Sequence, residues 1–132
     1  MKMKKAIFLL ALLIVCVCSG CGSEGRELKV GVYNDHDEIV LDKQKTVTDP
    51  EVIDKVKRIF EDRSTRTSQA EGKPDYVVII NNREASTMER GVELWEQADG
   101  TMIAGPLFGG KETYSISQTH VQDIKSWLDL SS

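Results

Sequence analysis

Hydrophobic positions follow three different patterns along this chain. Behind Lys2, Lys4 and Lys5 runs an unbroken apolar segment from Ala6 to Val17. It is shorter than the roughly 20 residues a helix needs to span a bilayer, even when Cys18, Ser19 and Gly20 extend it. Gly22 to Arg26 is small and polar with no period, which predicts a flexible tether over residues 21–26. Leu28, Val30 and Val32 then alternate with Lys29 and Gly31, the period of a strand ending at Tyr33. Asn34-Asp35-His36-Asp37 is turn chemistry, and Glu38 to Val47 resumes as a second strand with Ile39, Leu41 and Val47 on one face. Its polar middle suits a sheet edge.

The period changes to that of a helix after Thr48. Asp49 can cap while Pro50 takes the first turn, or Thr48 can cap with Glu51 reciprocating. Val52, Ile53, Val56, Ile59 and Phe60 form one apolar stripe opposite Asp54, Lys55, Lys57, Arg58 and Glu61. Residues 61–74 hold almost nothing apolar and read as a linker of unusual length. Asp75 to Ile80 reads as a strand, apolar on both faces from Tyr76 on and therefore central, and Asn81 to Arg90 as a polar hairpin loop. Three more strands follow, over 91–97, 101–104 and 111–116, the first two joined by an Asp99-Gly100 turn. Val121, Ile124, Trp127 and Leu128 then mark the buried face of a last helix, with Thr119 and Gln122 as its capping box. The predicted order is β-β-α-β-β-β-β-α. Residues 27–132 thus form a single α+β domain, an antiparallel sheet of about five to six strands with two helices on one face.

Charge and cysteine content narrow the function classes. Three of the 17 Lys+Arg precede Cys21 and none of the 21 Asp+Glu does, which leaves 14 basic against 21 acidic residues downstream, a net of −7. Nucleic acid and anionic lipid both demand clustered Lys and Arg, so neither is an expected partner of the domain. All three cysteines lie at positions 16–21. Beyond them there is no sulfur for a disulfide, a thiol nucleophile or a Cys-ligated zinc.

Few residues carry candidate chemistry. His36 stands among Asp35, Asp37 and Glu38, but neighbours in an extended segment point to opposite sides and cannot all hold one ion. Ser115, Ser117, His120 and Asp123 contain the residue types of a hydrolase triad, without a Gly-x-Ser-x-Gly elbow to present a serine. No catalytic residue, metal ligand or cofactor is therefore assigned. A secreted metal-dependent or hydrolytic enzyme using His36 or His120 is the alternative reading. Trp95 alternates away from Val92 and Leu94, so it faces the open side of the sheet if the helices cover the other; there it either anchors a partner or is covered by a loop or the 61–74 segment. Leu107 and Phe108 lie between Gly-Pro and Gly-Gly. Trp95, Leu107 and Phe108 form the candidate binding surface, since exposed aromatic and apolar anchors dominate interfaces.

The basic start, short apolar run and small residues before Cys21 have the layout of a secretory signal, and Cys18-Ser19-Gly20-Cys21 resembles the lipobox of bacterial lipoproteins. The resemblance implies a signal peptide over 1–20, cleavage between Gly20 and Cys21, and a diacylglyceryl group on Cys21. A plain cleaved signal is the nearer competitor, and Cys18 stands where lipoboxes usually carry Leu. Downstream, the segments 45–53, 74–79, 93–95 and 113–117 resemble the small YhfM-like lipoproteins of Bacillus-type bacteria. That resemblance implies a lipid-anchored α+β domain on the outer face of the cell membrane and brings no catalytic residues. The expected protein is an extracytoplasmic lipoprotein, held to the membrane by its N-terminal lipid, that binds an envelope protein partner or a ligand without catalysis.

Overall fold

In the computed structural model, which describes residues 25–63, 66–67, 70–108 and 112–130, the alternating segments pair into one antiparallel sheet. In chain order the elements are β1 (Arg26–Tyr33), β2 (Ile39–Val47), α1 (Pro50–Glu61), β3 (Arg66–Thr67), β4 (Tyr76–Asn82), β5 (Thr87–Glu96), β6 (Met102–Pro106), β7 (Thr113–Ile116) and α2 (Gln118–Leu128). Across the sheet the order is β2-β1-β4-β5-β6-β7-β3. The α+β reading holds, with both helices on one face. The added strand is β3, two residues inside the segment read as a linker. It pairs with the β7 edge, and the chain then returns to the centre of the sheet at β4.

Strand periodicity decides the two faces. Leu28 and Val30, Val78 and Ile80, Val92 and Leu94, Met102 and Ala104, and Tyr114 and Ile116 lie in register and share one buried cluster. Ile53, Val56, Ile59 and Phe60 of α1 and Val121, Ile124 and Leu128 of α2 complete it. Burying side chains of this size is the main favourable term in folding.

Local chemistry starts and stops the helices. Asp49 Oδ1 accepts the Glu51 amide at 3.0 Å with Pro50 behind it, which selects the Asp49 cap over Thr48. The last helix starts earlier than its expected capping box: Ser117 Oγ accepts the His120 amide at 3.3 Å, and Thr119 lies inside the first turn. Asp129 closes α2 at φ 52°, ψ 47°, which lets the Leu130 amide reach the Lys125 carbonyl and Leu130 bury itself. Left-handed backbone strains a residue with a Cβ, and a carboxylate at a helix C-terminus opposes the dipole. Replacing Asp129 by glycine is therefore expected to stabilise the domain by about 1 kcal/mol, read as a raised urea midpoint.

Three local readings change. Arg26, placed in the tether by composition, is the first residue of β1. The loop between β4 and β5 shrinks to Arg83–Ser86, because both strands run on through polar residues. In β2, Leu41 pairs with Gly31 while Val47 pairs with Leu28 across an irregularity in register. Leu41 and Ile39 therefore face away from the helices, while Val47 packs on the core. A bulge reverses the face that strict alternation assigns.

Candidate functional site

The face of the sheet away from the helices is not a plain polar surface. Register places Leu41, Gly31, Val77, Glu93 and Gly105 in one row across it. One step along, Tyr33 and Trp95 stand in the next row, two strand spacings or about 10 Å apart. Tyr33 OH donates to Glu93 Oε1 at 2.8 Å, a bond that spans β4. It helps close off Val77, which has no exposed surface although it faces away from the helices.

Trp95 faces this open side as its alternation predicts, and it is half-buried. Two neighbours hold it. Its indole Nε1 donates to the Gly72 carbonyl at 3.0 Å, so the chain returning to β4 covers one edge of the ring. The other edge lies over Gly105, where an added Cβ would stand 3.3 Å from Trp95 Cζ3 and 3.2 Å from Thr113 Cγ2. Leu107 packs in the same way over Gly91, where a Cβ would come within 2.8 Å of it. The two glycines let large side chains lie against the sheet. Phe108, at φ 64°, is 77% exposed. The candidate surface thus divides: Trp95 and Leu107 are seated on the sheet, and Phe108 stands in solvent.

A groove of about 290 Å³ opens beside Trp95, lined by Tyr33, Asp37, Gly72, Lys73, Pro74, Glu93 and Trp95. Lys73 Nζ is held by Asp37 Oδ1 at 2.7 Å and donates to the Asn34 carbonyl at 3.1 Å. Burial, and then the bond to Glu93, push the Tyr33 phenol up to about 12, so it stays a neutral donor at ordinary pH. Alternation puts Glu93 on the same face as Trp95, while sequence reasoning missed Tyr33 and Lys73. Their approach depends on β1 pairing with β4, which no local pattern announces. A second cleft, of about 230 Å³, lies between Arg63, Arg90, Pro106, Glu112 and Tyr114. There Arg90 pairs with Glu61 at 3.2 Å and Arg63 with Glu112 at 3.5 Å.

The other sequence candidates are not brought together. His36 is exposed in the turn between β1 and β2, and its amide donates to Asn34 Oδ1 at 2.9 Å. His120 lies in the first turn of α2, which follows β7, the strand four places from β1 in the sheet order. Ser117 Oγ is engaged as the helix cap, and Ser115 pairs with Ile103 on the open face. Among the described residues, no group of three or more His, Cys, Asp or Glu side chains is placed to hold a metal ion. Gly20 and Cys21, the expected cleavage and lipidation positions, lie outside the described residues. Comparison with protein-family models, curated proteins and solved structures finds no match to this chain.

Proposed function

We propose that the protein is an extracytoplasmic lipoprotein, cleaved between Gly20 and Cys21 and anchored by lipid at Cys21, whose domain docks a protein partner through the open face of its sheet. The observation that carries the reading is Cys18-Ser19-Gly20-Cys21 at the end of a short apolar run with a basic start. The YhfM-like pattern of the later segments supports the same class. The arrangement of the domain is consistent with tethering: β1 begins at Arg26, so the chain from Cys21 to Arg26 reaches at most about 18 Å. A diacyl anchor gives stable attachment at about 0.8 kcal/mol per buried CH₂. Held that close to the membrane, the domain meets other envelope proteins at high effective concentration, and modest contacts suffice.

Mass spectrometry of the protein from the membrane fraction tests the anchor. The expected mature N-terminus is Cys21 carrying a diacylglyceryl group, and a Cys21→Ser variant should carry no lipid and escape processing at that bond. An unmodified N-terminus on the wild-type chain would reduce the protein to an ordinary secreted domain.

A further inference from the structure

We infer that the groove between Tyr33 and Trp95 receives a cationic side chain, a lysine or arginine of the partner that docks on this face. The inference rests on the docking role given to the open face above. Asp37 and Lys73 neutralise each other at 2.7 Å. Among the described residues, the Glu93 carboxylate has the neutral Tyr33 hydroxyl as its partner and no Lys or Arg forms an ion pair with it. The groove is therefore left with one uncompensated negative charge beside two aromatic rings.

That combination suits a cation. Aromatic faces attract ammonium and guanidinium groups within about 6 Å of the ring centre, and a carboxylate adds a charge-assisted hydrogen bond. The domain uses the same pairing elsewhere: Lys55 Nζ lies 5.7 Å from the Trp127 ring centre, and Arg63 6.0 Å from that of Tyr114. Among the described residues, no cation of the chain itself stands over Tyr33 or Trp95. A volume of about 290 Å³ lies at the lower end of ligand pockets and fits one long side chain. The net charge of −7 downstream of Gly20 steers a basic partner toward this domain.

Calorimetric titration of the full chain in detergent micelles, with Nα-acetyl-lysine methylamide and its uncharged norleucine counterpart, tests the inference. The lysine compound is expected to bind and the norleucine compound not. Glu93→Gln, which keeps an acceptor for Tyr33 OH, should weaken binding about tenfold with the urea midpoint little changed. Raising the salt concentration should weaken it further. Equal binding of the two compounds, no binding of either, or an unaltered affinity in Glu93→Gln would overturn the proposal. Crosslinking in intact cells separates it from the docking reading. If the lysine compound does not bind but partner crosslinks still map to Trp95, the cation pocket is refuted while the docking face stands. If it binds but crosslinks map elsewhere, the pocket is upheld and the docking face is not.

Discussion

Replacing Phe60 by alanine is expected to destabilise the domain by about 4 kcal/mol, a large part of the 5–15 kcal/mol typical of whole domains. Phe60 is fully buried in the last turn of α1, among the largest side chains with no exposed surface. Its truncation removes the transfer energy of a ring and leaves a cavity that neighbours from strands and helices cannot close together. The same residue carries a second attachment. Tyr114 OH donates to the Phe60 carbonyl at 2.6 Å, in a buried bond that joins the end of α1 to β7. The last carbonyls of a helix lack intrahelical partners, and this one is answered from across the core. Tyr114→Phe deletes that bond alone and is expected to cost about 1 kcal/mol. Urea denaturation at neutral pH separates the two: the midpoint should fall several times further for Phe60→Ala than for Tyr114→Phe. Similar losses would mean that truncating the ring costs no more than one buried hydrogen bond.

The contrast between these two contacts shows what the sequence exposes. The ring is legible, because Val52, Ile53, Val56, Ile59 and Phe60 repeat at helical spacing and the period alone assigns the buried face. The bond to Tyr114 is not, since it joins residues 54 positions apart. The candidate site divides in the same way. Alternation with Leu94 assigns Trp95 to the open face, and the register of β5 with β6 places it there. Its companions come from distant chain: Tyr33 from β1, and Gly72 from the 61–74 segment, which the sequence offers as a cover for the ring without fixing the contact. Gly91 and Gly105 were a usable signal, since glycine inside a strand often marks a close approach. Strand order was out of reach for a physical reason. The apolar faces of β1, β2 and β4 would be satisfied by several orders, and the choice rests on packing of the whole sheet.

Arg26→Ala is expected to cost about 2 kcal/mol at neutral pH and much less in acid. Arg26 opens β1, and its guanidinium makes two ion pairs, with Asp54 Oδ1 of α1 and Glu89 Oε2 of β5, both at 2.8 Å. Lys57 Nζ adds a contact to Glu89 at 3.1 Å, so one helix and two strands meet in the network. The Arg26 and Glu89 side chains are only 17% and 20% exposed, whereas Asp54 is about half exposed. The expected loss therefore falls between the 3–5 kcal/mol of a broken buried pair and the near-zero value of a surface pair. Hydrogen bonding to Arg26 holds the Asp54 carboxyl below its usual range. Burial pushes Glu89 upward, but the bonds from Lys57 and Arg26 outweigh it, and Glu89 also lies low. A carboxyl depressed in the folded state contributes stability that is present above its unfolded value of about 4 and is lost as pH falls through the folded value. The gap between wild type and Arg26→Ala should thus be full at pH 7 and narrow progressively below pH 4. Arg26→Lys should recover part of it, since a single ammonium cannot reproduce the forked geometry of the guanidinium. Urea midpoints at pH 7, 4 and 2.5 supply the comparison. A gap that stays constant with pH would assign the effect to packing of the arginine stem instead of its charge.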